Sequence, residues 1–439
     1  MLREASIKRI KELFWEFQNI RSGISYEILD DGVKFSIDGK ERTLTGFEAL
    51  RNNEMKSLIY KEFLKEGLSL PWGILTGIKP LKLYAKADDK GAFKEKFFIS
   101  DEKFELDDKG AFKEKFFISD EKFELMERTF RNQHLNFEPE YSLYIHIPFC
   151  KGICSYCSFY TNDITKKAYD FTKYIDAVID EMKFESKRRD ILEPDSIYIG
   201  GGTPSAIDKA NTQRLLKYIN ENYKFKELTF ECGRADTMDK ELLDILDKYG
   251  VNRICINPQT MNEETLKRVH RNAGLDELNL VYELAREYDF DINMDLIIGL
   301  EGESKNDYIN SVKKLIAMRP ESITIHNLAL KRRAVLAQND FKLENIDLSK
   351  EIYARLYEAG YEPYYMYRQK MTNSNLENVA FSLRGKASIY NVISMNDLTS
   401  IYAFGAGAVS KYIDKDNLER KFNYKDIDLY IKNVYNKDI

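Results

Sequence analysis

The sequence predicts an α/β protein built on a partial (β/α)6 barrel, with a small N-terminal α+β domain and a C-terminal α+β appendage. Six strand-like runs alternate with helical patterns in the middle of the chain, and this alternation predicts a parallel sheet. The 439 residues are enough for two or three domains around a substantial core. In such barrels the active site lies at the carboxyl ends of the strands. The segments that follow the strands are therefore expected to carry the function.

Three domains are predicted, at residues 1–135, 136–345 and 346–439, the last as a substrate-covering domain. In the first domain, the spacing of apolar residues predicts a helix from Ile7 to Phe17. Alternating segments around Asp31-Gly32 predict a hairpin. A second helix is expected from Phe47 to Glu66. The last domain contains EPYYMYRQK and YAFGAGAVSK, and we expect it to pack near the mouth of the barrel.

The barrel units follow one another without interruption. The predicted strands cover residues 141–147, 195–200, 227–232, 252–257, 291–299 and 321–326. The predicted helices cover residues 166–189, 208–222, 240–249, 263–270, 275–288 and 305–318. Each strand is short and each helix is long enough to cross back over the sheet, as the βαβ unit requires.

A tandem repeat interrupts the N-terminal domain. Asp88 to Leu106 reads DDKGAFKEKFFISDEKFEL, and Asp107 to Leu125 repeats it letter for letter. Evolved repeats drift and need several units to bury a core, so an identical pair favours a recent duplication or an assembly artefact. The alternative is a tandem helical hairpin with a role of its own, in which the serine before Asp-Glu-Lys caps a helix. Neither copy is assigned a function.

Composition excludes several classes of protein. The net charge of −5 argues against a general nucleic-acid binder, and no charged tail is present. No run is long and apolar enough to span a bilayer. The first residues, MLREASIKRIKELFWEF, mix charges with apolar residues and do not resemble a signal peptide. A cytoplasmic protein is the simplest expectation.

Three of the five cysteines fall within eight residues, as Cys150, Cys154 and Cys157 in the spacing CxxxCxxC. Such clustering favours metal chemistry over disulfides in a reducing compartment. Thiolates hold iron–sulfur clusters, and a [4Fe–4S] cube normally takes four of them. With three, one iron can instead bind a small molecule through an amine and a carboxylate. The amino-acid end of S-adenosylmethionine (SAM) has both groups.

A structural zinc site with His146 as the fourth ligand is the alternative. His146 lies within a predicted strand, before the loop, and CxxxCxxC is less typical of zinc than paired CxxC motifs. The cluster is therefore favoured. Cys232 and Cys255 lie in predicted strands and are interpreted as core residues.

A glycine run ends the next strand, as Gly200-Gly201-Gly202-Thr203-Pro204-Ser205. Glycines let a backbone approach a ligand closely, and the amides and hydroxyl here could hold the amine and carboxylate of SAM. Alone the signal is weak, because a glycine run after a strand is often only a tight turn. The run has neither the GxGxxG of a dinucleotide site nor the lysine of a phosphate loop. The glycine run is a stronger signal here because it lies one strand–helix unit after the cysteine loop.

Taken together, four segments resemble the oxygen-independent coproporphyrinogen III oxidase family of radical SAM enzymes, and its HemZ-type branch most closely. They are YIHIPFCKGICSYC, IGGGTPS, INPQTMNEETLKRVHR and NMDLIIGL. The resemblance runs from about residue 141 to the C-terminus and includes LPWGILTGIKP in the first domain. It implies a partial (β/α)6 radical SAM barrel.

The resemblance also implies the chemistry. A reduced cluster passes an electron to SAM, and the resulting 5'-deoxyadenosyl radical removes a hydrogen atom from a propionate side chain of coproporphyrinogen III. Loss of carbon dioxide and an electron then leaves a vinyl group, and the electron passes to a final acceptor that the sequence does not identify. Two rounds give protoporphyrinogen IX in anaerobic haem biosynthesis. The implied partners are a tetrapyrrole substrate and an unidentified electron donor, with no nucleic acid and no membrane. A monomer is the expected state.

Site residues are carried over position by position. Cys150, Cys154 and Cys157 correspond to the catalytic cluster ligands. The positions expected to bind SAM, as one molecule or two, are Tyr144, Gly201, Gly202, Thr203, Glu231, Gln259, Arg271, Asp295 and Ile297. Glu231 and Asp295 have an alternative interpretation as solvated strand-end carboxylates, and Arg271 as a surface residue at a helix end.

Because the substrate is a tetracarboxylate, we expect basic residues to line its pocket. The candidates are Lys331, Arg332, Arg333, Arg368 and Lys370, although a charge run is more often simply solvated. The tyrosines from Tyr361 to Tyr367 could stack on a tetrapyrrole, but an aromatic stretch is more often core.

The sequence departs from the family pattern at three places. Phe159 stands where the best-known members carry a further cysteine, and relatives with such a residue include proteins that handle haem. Glu301 stands where relatives commonly have proline. Cys232 stands where relatives more often have alanine or another small residue. A haem-binding carrier or chaperone is therefore the second hypothesis, with His134, His146, His270 and His326 as candidate ligands. A zinc-stabilised protein without redox chemistry is the third.

Overall fold

A computed structural model describes most of the chain. The described residues are 2–76, 79–88, 108–133, 135–159, 161–271, 273–329, 331, 333–338, 347–369, 376–414 and 417–436. None of the helices in these ranges combines the length and apolar character that a membrane crossing requires.

The N-terminal domain begins with a helix, a three-stranded antiparallel sheet and a second helix. These elements are α1 (Glu4–Ile20), β1 (Ile24–Leu29), β2 (Gly32–Ile37), β3 (Lys40–Thr45) and α2 (Asn52–Lys65). The predicted hairpin is present, with Leu29 opposite Gly32. The third strand was not predicted, because KERTLT lies half in solvent and has almost no apolar alternation. Phenylalanines from the helices and β2 form the core, and the rings of Phe17 and Phe63 stack 3.7 Å apart.

Three further helices complete this part of the chain: α3 (Pro80–Asp88), α4 (Asp108–Phe116) and α5 (Asp120–Asn132). The second copy of the repeat is a helical hairpin, in which the Ser119 side chain accepts from the Lys122 amide and caps α5 as predicted. Beyond Asp88, the first copy lies outside the described residues. The origin and role of the duplication remain predictions.

The barrel contains every predicted strand and helix, with two short strands added in the cysteine loop. Its elements are β4 (Tyr141–Ile147), β5 (Phe149–Cys150), β6 (Asn162–Asp163), α6 (Phe171–Arg189), β7 (Ser196–Gly201), α7 (Lys209–Asn222), β8 (Glu227–Phe230), α8 (Lys240–Lys248), β9 (Arg253–Cys255), α9 (Glu263–Arg268), α10 (Leu275–Ala285), β10 (Asp291–Ile298), α11 (Lys305–Met318) and β11 (Ser322–Asn327). The largest difference is at α6, which starts five residues later than residue 166, because Asp170 caps it by accepting from the Lys173 amide.

The remaining elements are α12 (Val335–Gln338), α13 (Ser349–Glu358), β12 (Glu362–Arg368), β13 (Glu377–Ser382), α14 (Ile389–Asn396), β14 (Ser400–Phe404), β15 (Val409–Asp414), β16 (Asn417–Phe422) and α15 (Ile427–Tyr435). Their strands extend the barrel sheet at both edges, in the order β12-β13-β11-β10-β9-β8-β7-β4-β14-β15-β16. The six central strands are parallel, as predicted. The C-terminal residues thus belong to the same sheet as the site and frame it from two sides.

Candidate functional site

The cysteine loop runs from the end of β4 to α6 and lies across the carboxyl edge of the sheet. Backbone bonds hold it in place on two sides. The amides of Gly202 and Thr203 donate to Ile147 O (2.9 Å) and Phe149 O (2.7 Å), and the Ser155 amide donates to Val269 O (3.1 Å). The glycine run and the end of α9 therefore fix the loop that carries the three cysteines.

The three cysteine thiols lie near enough for their charges to act on one another. Burial raises the pKa of Cys150, against a hydrogen bond from Thr203 Oγ1 at 3.5 Å. Burial likewise raises the pKa of Cys157 to about 11, against a bond from the Phe159 amide. These thiols hold their protons at neutral pH until a metal charge displaces them, as metal-bound thiols require.

Two buried guanidinium groups stand beside Cys154. Arg271 Nη1 lies 3.9 Å from the Cys154 sulfur, and its other nitrogen donates to the carbonyls of Gly233 and Asn257. Arg234 pairs with Asp236 at 2.9 Å, and its Nη1 has no hydrogen-bond partner within the described chain. Cations at this position favour thiolate ligands and an anionic cluster. Arg271 is thus buried in the site and is not the surface residue of the alternative interpretation.

Three thiols of one loop, flanked by two guanidinium groups, form the kind of donor set that a [4Fe–4S] cluster takes. Across the described residues, no three His, Cys, Asp or Glu side chains converge as the ligands of one metal ion do. His146, the fourth ligand of the zinc hypothesis, directs Nδ1 at Ala406 O at 2.6 Å, and its ring packs against Gly201. The residues present fit the [4Fe–4S] cluster.

Below the loop, the interior of the barrel carries two carboxylates. Glu231 accepts from the Gly201 amide and from Tyr198, and burial together with the charge of Asp295 raises its pKa to about 7. Burial opposes ionisation of Asp295 too, but hydrogen bonding and the charge of His326, 3.6 Å away, help hold the pKa of Asp295 below its usual value. Neither is a solvated strand-end carboxylate. Two carboxylates in one chamber suit a cationic ligand such as the sulfonium of SAM.

Unpartnered acceptors lie at the same edge of the sheet. Asn257 is buried, and neither its Oδ1 nor Oε1 of Gln259 has a hydrogen-bond partner in the described part of the chain. Gln259 is held at a φ of +69° by backbone bonds to Asp295 O (2.9 Å) and from the Ile297 amide (2.8 Å). Buried acceptors without donors are costly, and a ligand with amine and hydroxyl groups would satisfy them. This also fits SAM.

The backbone amides of the glycine run make contacts within the protein that the sequence did not predict. The amides of Gly202 and Thr203 bond to the cysteine loop and that of Gly201 to Glu231, so the protein itself uses all three. A Cβ on Gly202 would lie 2.5 Å from Phe149 O, and one on Gly201 would lie 2.5 Å from His146 Nε2. The glycines are needed for close contact between two strand ends. Their role in holding SAM remains a prediction.

Aromatic rings line the chamber beside Glu231. Tyr144 stacks near Tyr198 (6.1 Å, 26°), and Tyr198 near Tyr390 (4.7 Å, 29°). Tyr144 was a predicted site residue. The sequence analysis missed Tyr198 and Tyr390, and it named neither Arg234 nor His326 for this site. The alternation of β7 and β11 could have placed Tyr198 and His326 on the inner face, but Arg234 and Tyr390 come from irregular or distant segments.

Comparisons with known proteins identify the superfamily and the family of this chain. The radical SAM superfamily profile matches residues 144–315. Oxygen-independent coproporphyrinogen-III oxidase-like protein HemZ of Bacillus subtilis is 34% identical over 414 residues, covering 90% of this chain and 81% of that protein. The chain belongs to this family of radical SAM proteins. The predicted cofactors, a [4Fe–4S] cluster and SAM, are those of the superfamily.

Two named activities occur among the more distant relatives. Oxygen-independent coproporphyrinogen III oxidase of Escherichia coli is 28% identical over 232 residues, half of each chain. Heme chaperone HemW of B. subtilis is 28% identical, covering 61% of this chain and 70% of that protein. The solved structure of E. coli HemN covers 68% of this chain and 70% of its own with a TM-score of 0.54 and 23% identity, so it shares the fold.

The ionisation of Glu231 leads to a prediction for SAM binding. A raised pKa means that the carboxylate gains its charge only as the pH rises through about 7, so a cation should bind more tightly above that pH. Between pH of about 6 and 8 we expect SAM affinity to rise roughly tenfold. Anaerobic calorimetry on the cluster-loaded protein measures this.

The control variant for this measurement is Glu231→Gln, which should bind SAM more weakly and with a flat pH profile. S-adenosylhomocysteine, which lacks the sulfonium charge, should show a smaller pH effect on the wild type. A slope that persists in Glu231→Gln would assign the titration to another group and contradict the prediction.

Proposed function

We propose that this protein is a radical SAM oxidoreductase that converts propionate side chains of coproporphyrinogen III to vinyl groups, forming protoporphyrinogen IX in anaerobic haem biosynthesis. The observation that carries the proposal is the chamber below the cysteine loop. Glu231 and Asp295 lie close enough for their charges to interact. Arg271 and Arg234 lie beside Cys154, and Arg271 also donates to Gly233 O. A cytoplasmic location accompanies the proposal as a prediction.

When bound, the cluster and SAM supply a 5'-deoxyadenosyl radical that removes a hydrogen atom from the substrate. Within the chain, Cys150, Cys154 and Cys157 are the proposed cluster ligands, and Arg271 fixes their loop to the ends of β8 and β9 through Gly233 O and Asn257 O.

The proposed role of Glu231, Asp295 and Gln259 is to bind the charged and polar groups of SAM. Glu231 and Asp295 attract its cationic groups, and Gln259 offers an unpartnered acceptor. Gly201, Gly202 and Thr203 support the loop, Ile297 fixes the backbone of Gln259, and Tyr144 provides a flat apolar wall. The stacked tyrosines exclude water from the reacting atoms, which protects a radical from side reactions.

The basic residues proposed for substrate binding divide into two groups. Arg368 is buried, donates to Leu75 O and pairs with Glu16 at 3.2 Å, so it joins two domains and faces no substrate. Lys331 and Arg333 are exposed, just after the carboxyl end of β11, where propionates would enter. Arg332 and Lys370 lie outside the described residues. Of the tyrosine run, Tyr361, Tyr364 and Tyr365 are buried. Burial, with a smaller contribution from the charge of Asp295, raises the pKa of Tyr365 and of Tyr367, so these two rings lie near that carboxylate.

A haem chaperone without dehydrogenase activity is the second candidate. Two observations favour it: the similarity to HemW, and Phe159 at the position where the best-known oxidases carry a cysteine. Among the candidate haem ligands, His146 donates to Ala406 O, His326 faces Asp295, and His134 lies outside the described residues. His270 is exposed at the end of α9.

One anaerobic assay tests both candidates. Reconstituted protein is given dithionite, SAM and coproporphyrinogen III, and the products are identified by mass spectrometry. We expect 5'-deoxyadenosine and a porphyrinogen that has lost two carboxyl groups, and neither product from Cys154→Ala. SAM cleavage with unchanged porphyrinogen would contradict the substrate assignment, and tight haem binding in the same preparation would then favour the chaperone.

A further inference from the structure

We propose that Arg234, which follows β8, binds the carboxylate of SAM through Nη1 and is a cofactor-binding residue beyond those that the family resemblance implies. The inference rests on the proposed function only in that SAM is the cofactor, and it does not depend on the porphyrinogen substrate. SAM carries one carboxylate. A carboxylate that is taken out of water needs a cation or hydrogen-bond donors to replace the water.

The donors of the glycine run, which the sequence predicted for this group, are already used within the protein. The amides of Gly202 and Thr203 donate to the cysteine loop, and that of Gly201 donates to Glu231. The Thr203 hydroxyl donates to the Cys150 sulfur at 3.5 Å. These groups are therefore occupied before SAM binds, and its carboxylate needs another donor.

Arg271, the other cation beside the loop, is occupied in the same way. Its Nη2 donates to the carbonyls of Gly233 and Asn257. Its Nη1 lies 3.9 Å from the Cys154 sulfur and 3.5 Å from the Tyr156 hydroxyl. Both terminal nitrogens thus have partners that hold the loop and the strand ends together.

Arg234 offers a donor that is not used. Its side chain is 3% exposed, and Nη1 has no hydrogen-bond partner among the described residues. The other edge of the guanidinium is fixed, because Nε and Nη2 donate to the two carboxylate oxygens of Asp236 at 2.9 and 3.0 Å. Such a two-point pair sets the plane of the group, and with it the direction of Nη1. The guanidinium lies beside the proposed cluster, since its charge acts on Cys150 and Cys154.

The charge of Arg234 is not cancelled by its partner. Asp236 neutralises one cation, but Lys151 Nζ lies 3.8 Å from the same carboxylate and donates to Asp236 O at 3.2 Å. The three side chains together are therefore positive. A buried guanidinium with unused N–H groups and a positive surrounding favours an anion, and a carboxylate is the anionic group that SAM has.

The backbone of Arg234 is supported from the glycine run. The Arg234 carbonyl accepts from Thr237 Oγ1 at 2.8 Å, and Ser205 Oγ lies 2.6 Å from that hydroxyl. Arg234 also follows Glu231 by three residues at the same strand end. The amino-acid end of SAM is a zwitterion, so the unpartnered acceptors after β9 and this unpartnered donor suit its amine and its carboxylate respectively.

The test compares SAM with decarboxylated SAM, which keeps the sulfonium and the amine, by anaerobic calorimetry on the cluster-loaded full chain. Arg234→Gln should raise the Kd for SAM at least about tenfold, because a hydrogen bond between two charged groups is lost, and should change the Kd for decarboxylated SAM less than about twofold. Electron paramagnetic resonance of the reduced protein gives a second readout. The change in the cluster signal on adding SAM should need a correspondingly higher SAM concentration.

Two further variants separate this effect from a structural one. Arg234→Gln leaves the Asp236 carboxylate without its partner, whereas Arg234→Gln/Asp236→Asn removes both charges. The double variant should bind iron and sulfide like wild type and show the same loss of SAM affinity. Ser155→Ala is the matched control, since Ser155 Oγ is a buried and neutral group of the cysteine loop that has no partner in the described chain. It should distinguish the two ligands like wild type.

Equal losses of affinity for SAM and decarboxylated SAM in both Arg234 variants would overturn the proposal, because the guanidinium would then act on the cluster or on the fold. So would wild-type SAM binding in these variants. Lost discrimination in Ser155→Ala alone would also overturn it, because the carboxylate would then be bound from the cysteine loop. Neither ligand contains a porphyrin, so the proposed substrate can fail while the carboxylate site stands.

Discussion

Cys154→Ala protein is expected to bind less iron and sulfide than the wild type and to cleave no SAM above the rate without enzyme. Cys154 is the buried cysteine of the three and the one that Arg271 approaches. With its sulfur removed, two thiolates remain for a cluster that takes at least three from this loop. The measurements are iron and sulfide analysis after anaerobic reconstitution, the electron paramagnetic resonance of the reduced protein, and 5'-deoxyadenosine formation.

Cys232→Ala is the matched control, since Cys232 is a fully buried cysteine that lies in the core after β8. It should keep the cluster and lose at most a little stability from the small cavity. A Cys154→Ala protein with full iron content and wild-type SAM cleavage would show that another group completes the ligand set.

The second large effect is expected at Glu377, which is completely buried. Its carboxylate accepts from Lys122 Nζ (2.8 Å), Trp72 Nε1 (2.8 Å) and Tyr353 OH (3.0 Å), and so joins the second repeat copy and the N-terminal domain to β13. Removing one partner of a buried ion pair leaves the other charge uncompensated. Glu377→Ala should therefore lower the free energy of unfolding by about 3–5 kcal/mol, which urea unfolding followed by circular dichroism would measure.

Glu362→Ala is the control for an exposed pair. Glu362 meets Arg128 at 2.9 Å, with 42% of its side chain exposed, and its removal should cost less than about 1 kcal/mol. The double variant Lys122→Met/Glu377→Leu should recover part of the loss, because it removes both buried charges but leaves Trp72 Nε1 and Tyr353 OH without their acceptor. Equal losses in Glu377→Ala and Glu362→Ala would contradict the buried-pair account.

The central barrel could be predicted from local pattern alone. Each strand from YSLYIHI to ESITIH is short and apolar. All the helices between them except α10 begin at a side-chain cap, as Asp170 and Ser304 show. The cysteine spacing likewise predicted that the three thiols of this loop lie near one another, and their role as cluster ligands stays a prediction. The polar strand β3 and the late start of α2 were not predicted, because neither has a strong apolar period.

The site was predicted in part. Glu231 and Asp295 could be named as candidates because they lie at or near the ends of predicted strands. Their burial, and the pKa of about 7 for Glu231, depend on the residues that pack around them. The glycine run was correctly placed beside the cysteine loop, yet its amides hold the loop instead of standing free. Arg368 looked like a substrate residue because it is basic, and only its bond to Leu75 O and its pairing with Glu16 revealed a structural role.

By itself the sequence determined the αβ alternation and the family, because these depend on spacing along one stretch of chain. Tertiary structure decided how the C-terminal strands join both edges of the sheet, which charges are buried together, and that Phe159 faces outward. Such properties arise between residues far apart in sequence. Burial and pairing fix the energy of a charge, and neither is encoded in the local pattern of residues.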